Sequence, residues 1–183
     1  MKSTAAGDAV AALRAGGVIA YPTEAVFGLG CDPGNESALR RILDIKGRRS
    51  HKGFILIACR QDQLMPFLAP VESDWQRRFD EAWPGPVTFV VPAGPGISAL
   101  LTGGRDSLAV RVTDHPLAGE LCRQFGSALV STSANRSGHP PCRDAQSVVA
   151  EFGGLLDCIV DSPVGQLDSP TVIVDVVSGA RLR

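Results

Sequence analysis

The residues of this chain best suited to chemistry fall in four short runs. A basic cluster, KGRRSHK, spans Lys46 to Lys52, and a polar run, STSANRSG, spans Ser131 to Gly138. A third segment, YPTEAVFGLGCDP, covers Tyr21 to Pro33, and a lone arginine, Arg111, interrupts the apolar run SLAVRV. Between Arg40 and Lys52 six basic residues stand against Asp44, a local +5 on a chain whose net charge is −1. Such a patch on a weakly acidic body suits an anionic small molecule better than wholesale coating of nucleic acid. Lys46 also has a plain structural reading, a cation at the C-terminal end of a helix dipole. Arg40 and Arg41 read as the solvated face of that helix. Lys46, Arg48 and Lys52, however, extend towards the mouth of a buried strand, where cations can neutralise a triphosphate and an arginine can grip it with two parallel bonds. Both readings of the cluster stay open.

Arg111 is costly in an apolar strand unless it is paired. A buried ion pair and a site for a ligand carboxylate explain it equally well. The STSAN run supplies four short donors and acceptors, Ser131, Thr132, Ser133 and Asn135, where a helix cap needs one. Thr23 and Glu24 follow a strand and a proline, so their side chains are expected to project at the strand end. The histidines at 51, 115 and 139 provide no base for a serine nucleophile, and no G-x-S-x-G is present. There is no GxxxxGKS phosphate loop, no GxGxxG in the 21–33 segment and no metal-ligand spacing of His, Cys or carboxylates. The pattern describes a site that binds and positions.

These runs need a scaffold. The chain has 183 residues, 44% hydrophobic and 20% charged, enough for one domain over 1–183 with a substantial core. Helical patterns at 5–15, after an Asn35 cap, at 73–82, after Asp114 and at 145–152 alternate with strand-like runs. The strand runs are 18–21, 54–59, 87–91, 107–112, 128–131, 158–161 and 171–176, with 21–33 read as a loop. The alternation predicts an α/β fold with one open, mixed, mostly buried sheet and flanking helices. Five cysteines without C-x-x-C read as reduced thiols of a cytoplasmic protein, and the longest apolar runs are of strand length, so no membrane span is expected.

Taken in order, YPTEAVFGLGCDP, KGRRSHKGFILIA, WPGPVTFV, SLAVRVTDHP, LVSTSANRSG and SPTVIVD resemble the YrdC/TsaC family of threonylcarbamoyl-AMP synthases, in its short bacterial form, over roughly Val18 to Arg183. The resemblance implies a twisted sheet curled round a concave, electropositive cavity. It implies condensation of L-threonine, bicarbonate or CO2, and ATP into threonylcarbamoyl-AMP and pyrophosphate, for threonylcarbamoyladenosine formation in tRNAs reading ANN codons. Lys46 and Arg48 match the family's KxR element, the expected catalytic and phosphate-binding pair. Lys52, Ser107, Ser133, Asn135 and Arg183 match nucleotide-contacting positions, and Thr23, Arg111, Ser131 and Ser169 match the threonine pocket. Magnesium is expected to arrive with ATP, without a protein metal site. The implied partners are the tRNA threonylcarbamoyltransferase proteins TsaB, TsaD and TsaE, and tRNA itself. Three positions depart from the family pattern: Ala25 where many relatives have threonine, Ile57 where the longer branch has histidine, and Pro141 where serine is usual. A noncatalytic module binding tRNA or rRNA through a basic concavity is the rival reading, weakened by a 5% aromatic content that leaves few stacking platforms.

Overall fold

The computed structural model describes residues 6–168 and 171–183. Along them run α1 (Ala6–Arg14), β1 (Ile19–Pro22), β2 (Phe27–Gly30), α2 (Glu36–Lys46), β3 (Ile55–Ala58), α3 (Ser73–Ala82) and β4 (Val87–Pro92). They continue through α4 (Ala99–Thr102), β5 (Ser107–Val112), α5 (Pro116–Phe125), β6 (Leu129–Ser133), α6 (Ala145–Phe152), β7 (Cys158–Ile159) and β8 (Val172–Asp175). The strands form one mixed sheet in the order β7-β1-β2-β6-β3-β5-β4-β8. This is the expected α/β architecture with flanking helices.

Local chemistry explains most boundaries. Asn35 caps α2 by accepting the Ala38 N–H at 3.0 Å, and Gly47 ends that helix in the left-handed region at φ 57°. At α5 the cap is His115, whose Nδ1 accepts the Ala118 N–H, with Pro116 in the first turn. The expected cap, Asp114, lies one residue too early.

The 21–33 segment is not a loop. It is a hairpin in which Tyr21 faces Gly28 and Ile19 faces Gly30. Alternation of Phe27 and Leu29 with glycine gives one apolar face and one bare face, so the usual strand signal is halved. The bare face has a purpose: a Cβ on Gly30 would meet the Val130 carbonyl oxygen at 2.5 Å and the Tyr21 ring at 2.7 Å. Gly30→Ala is therefore expected to cost roughly 1–3 kcal/mol by overpacking. Gly7→Ala, where a Cβ meets nothing within 4 Å, should cost nothing. Urea denaturation of the two variants checks the contrast, and equal midpoints would show that the hairpin can open.

The registers bring Ile55, Ala109 and Ser131 abreast, and next to them Ile57, Arg111 and Leu129. Directly opposed residues share a sheet face. At one end of this face Ile19, Tyr21, Ile57 and Leu129 are roofed by Ala9, Val10 and Leu13 of α1 and by Ala118, Leu121 and Cys122 of α5. Among the described residues, the cluster beneath α1 and α5 does not take in Ala109 or Ser131 further along the same face. The reverse face carries Leu29, Leu56, Phe89, Val91, Leu108, Val110 and Val130 into the main core beneath α2 and α3.

Candidate active site

The part of the sheet face beyond the α1 and α5 cluster is the floor of a cavity of about 770 Å³. Gly28, Ile55, Ser107, Ala109, Arg111, Ser131 and Ser133 all line it, and the small side chains among them, at 28, 107, 109, 131 and 133, give it depth. Five basic side chains border it (Arg48, Lys52, Arg105, Arg111 and Arg183), against one acid, Asp175, among the described residues.

Arg48 reaches the rim because Gly47 turns the chain out of α2, with the Arg48 N–H bonding the Leu43 carbonyl at 2.9 Å. Its Nη1 donates to Thr132 Oγ1 at 2.7 Å and its Nη2 to the Gly53 carbonyl at 2.9 Å. Its Nε is buried without a partner. Burial first, and the neighbouring Arg105 second, push the guanidinium pKa below its ordinary value. The charge is fixed in place by neutral acceptors and forms no ion pair among the described residues.

Lys46 lies elsewhere. It is 3% exposed and absent from the cavity wall. Its amine donates to the Ser133 carbonyl, to the Asn135 carbonyl at 2.8 Å and to Asn135 Oδ1 at 3.2 Å, so in its protonated form all three N–H bonds hold the 133–135 turn. Ser133 Oγ in turn donates to Asn135 Oδ1 at 2.6 Å. β6 runs two residues past the expected 128–131 strand to take in Thr132 and Ser133, and only the Ala134–Gly138 part turns.

Burial, with Arg48 and Lys52 nearby, pulls the Lys46 ammonium down to about 7. The unfolded chain keeps its proton to the ordinary lysine range, so between about pH 7 and 10 it holds one proton more than the folded chain. Stability should therefore rise with pH across that window, by at most about 1.4 kcal/mol per unit. Denaturation midpoints of the wild type and Lys46→Met from pH 6.5 to 9.5 test this. A slope equally present in the variant would assign it to another group.

For Arg111 the structure supplies the buried ion pair. Its Nη2 pairs with Glu24 Oε2 at 3.0 Å, with both side chains 5% exposed, yet Arg111 also lines the cavity. Nη1 donates to Thr88 Oγ1 at 3.2 Å and to Thr171 Oγ1 at 2.9 Å, while Nε is buried without a partner. Glu24 does not project as expected. Its second oxygen accepts Thr113 Oγ1–H at 2.6 Å, and it is buried behind Arg111. Thr23 is buried as well, donating to the Val26 carbonyl at 2.7 Å in the hairpin turn.

Of the residues singled out in the sequence, Thr23, Arg48, Lys52, Ser107, Arg111, Ser131, Ser133 and Arg183 converge on the cavity. Lys46 and Asn135 sit behind it, and Ser169 lies outside the described residues. Sequence reasoning missed Glu24 as the partner of Arg111, the Thr88/Thr113/Thr171 hydroxyls around the pair, and Arg105. A cation placed directly after two glycines at the start of a strand was the available signal for Arg105. No group of three or more His, Cys, Asp or Glu able to hold a metal occurs among the described residues.

The profile of the Sua5/YciO/YrdC family, described as "Telomere recombination", matches residues 11–183. A Halorhodospira halophila protein named threonylcarbamoyl-AMP synthase is 51% identical, aligning 96% of this chain with 92% of its own. A Klebsiella pneumoniae protein of the same name is 50% identical, aligning 100% of this chain with 97% of its own. Among solved structures, E. coli YciO superposes with a TM-score of 0.84 at 26% identity, covering 97% of this chain and 86% of that one. P. abyssi Sua5 complexed with L-threonine superposes with a TM-score of 0.86 at 31% identity over 91% of this chain. The present chain spans about half of that longer protein, 49% of its length. The profile and the sequence relatives each extend over nearly the whole chain, and the chain belongs to the Sua5/YciO/YrdC family.

Proposed function

We propose that this chain condenses L-threonine, bicarbonate or CO2, and ATP into threonylcarbamoyl-AMP and pyrophosphate. The observation that carries the reading is a single cavity with cations at both ends of β5. Arg48, Lys52 and Arg105 stand at its start, and Arg111 lies four residues beyond Ser107, roughly 13 Å of strand further on. A triphosphate and an amino-acid carboxylate are two anionic groups that such a cavity would hold side by side.

The neutral amine of threonine captures CO2, or bicarbonate with loss of water, and gives a carbamate. A carbamate oxygen then attacks the α-phosphorus of ATP, the bond from that phosphorus to the bridging oxygen breaks, and pyrophosphate leaves with the electron pair. The step needs alignment and charge neutralisation rather than a protein nucleophile. Arg48 and Lys52 hold the phosphates. Ser107, Ser133 and Arg183 contact the nucleotide, and Lys46 with Asn135 fixes the Ser133 turn that does so. Arg111 grips the threonine carboxylate through its unpartnered Nε edge, beside Thr23 and Ser131, with Ser169 assigned to the same pocket. Magnesium suits this donor set only as part of the nucleotide. Asp175, the one acidic side chain lining the cavity among the described residues, already accepts the Ser178 N–H and hydroxyl, so phosphate and water would supply the metal's ligands.

The product is a reactive mixed anhydride, which requires an acceptor close at hand. We assign that role to the tRNA threonylcarbamoyltransferase proteins TsaB, TsaD and TsaE acting on tRNA, in the cytoplasm. No helix among the described residues is long and apolar enough to cross a membrane.

The test is pyrophosphate release by the purified chain with ATP and magnesium, threonine and bicarbonate each supplied or withheld. Release that needs both, with a threonylcarbamoyl-adenylate mass in the mixture, is the expected result. A folded chain that releases nothing under any combination, and binds RNA without ATP, would replace this reading with an RNA-binding one.

A further inference from the structure

Gly103 and Gly104 both have positive φ, 68° and 77°, and the turn they make delivers Arg105 to the cavity rim just before β5. There its Nη1 donates to the His51 carbonyl at 2.9 Å and its Nη2 to the Lys52 carbonyl at 3.0 Å. Arg48 Nη2 approaches the same Lys52 carbonyl at 3.4 Å. Two guanidinium groups thus converge on one neutral oxygen, with the Lys52 side chain on the same wall. Among the described residues no carboxylate stands within ion-pair distance of any of the three.

Like charges drawn together without a counter-ion are unfavourable, and the fold enforces the arrangement. Gly53 lies at φ 60° where a Cβ would meet the Leu101 carbonyl at 2.8 Å and Arg105 Nη2 at 3.0 Å, so only a glycine lets the two segments close on each other. Arg48 is already committed to Thr132 and Gly53, deeper in the wall. Arg105 is bound only to carbonyls of the 51–52 turn, which can be exchanged for stronger acceptors. Phosphate oxygens are such acceptors, since they carry full negative charge and can take both prongs of one guanidinium in parallel.

We infer that Arg105 is a third polyphosphate ligand, binding the outer phosphates of the nucleotide and the pyrophosphate that leaves, by trading the His51 and Lys52 carbonyls for phosphate oxygens. The inference rests on the reading of the cavity as an ATP site and adds a residue to it. It also gives Arg105 a specific place: at the leaving group, where negative charge grows as the bond to the α-phosphorus breaks. The adenosine end and the α-phosphate lie outside its assignment.

The experiment is calorimetric titration of the full chain with ATP, with pyrophosphate and with AMP, for the wild type, Arg105→Gln and Arg105→Lys. Loss of one two-pronged phosphate contact should weaken ATP and pyrophosphate by tenfold to a hundredfold in Arg105→Gln. AMP should change by less than twofold, and Arg105→Lys should fall between. Wild-type affinity for ATP and pyrophosphate in Arg105→Gln would overturn the assignment while leaving the ATP site intact. A loss shared equally by AMP would overturn it too, as a merely structural role. A wild-type chain that binds neither ATP nor pyrophosphate would sink the nucleotide reading itself, and this inference with it. Should Arg105→Gln fail to fold, Arg105→Lys is judged by the same comparison of pyrophosphate with AMP.

Discussion

Arg48→Ala should lower pyrophosphate release by about a thousandfold or more while leaving a folded protein. A single well-placed donor to a developing oxyanion is worth about 10²–10³, and an arginine at a transferring phosphoryl group about 10³–10⁵. The side chain also ties Thr132 of β6 to Gly53 before β3, so its loss frees the rim that presents Lys52 and Arg105. The stability cost is modest by comparison, of the order of 1–3 kcal/mol, because the lost bonds join charge to neutral oxygens at a partly exposed rim. Turnover assays beside a thermal melt separate the two effects. Release within tenfold of wild type, from a protein melting normally, would remove Arg48 from the phosphate role.

The second large effect is at Glu24. Removing one member of a buried ion pair leaves the other uncompensated, at a cost of about 3–5 kcal/mol, whereas replacing both by apolar groups is often close to neutral. Glu24→Ala should therefore be among the most destabilising single changes in the chain. Adding Arg111→Met to a Glu24→Leu background should recover most of the loss in urea denaturation. The recovered double variant should still show no saturable response to threonine, because the guanidinium edge facing the cavity is gone. Threonine saturation persisting in that variant would mean that the pair is structural alone.

The parts of this molecule legible in its sequence are those governed by local chemistry. Asn35 capping α2, the bounds of SLAVRV as β5 and the 73–82 helix follow from neighbouring residues. What stayed hidden depends on what comes opposite. FGLG looks like a turn until Tyr21 and Val130 are seen to fill the space its glycines leave open. The strand looks finished at Ser131 because Thr132 and Ser133 are polar, yet both continue β6, pairing across to Leu29 and Gly28. Lys46 and Arg48 are two residues apart, but one is buried beneath a turn and the other lines the rim, since Gly47 reverses the chain between them. Glu24 and Arg111 are 87 residues apart, so their pairing required the fold.

The roofed core and the cavity floor occupy one sheet face and are divided by a single pleat step: Ile57 beside Ile55, Arg111 beside Ala109, Leu129 beside Ser131. An insertion or deletion of one residue within β3, β5 or β6 would turn both sets over together, placing serine and arginine in the main core and leucine in the cavity. Such a chain would lose its fold and its ligands in the same event, with no intermediate retaining either. Length variation is thus barred from the three central strands. Descendants of this sequence can alter what the cavity accepts only by exchanging side chains on a fixed register or by remodelling the rim loops.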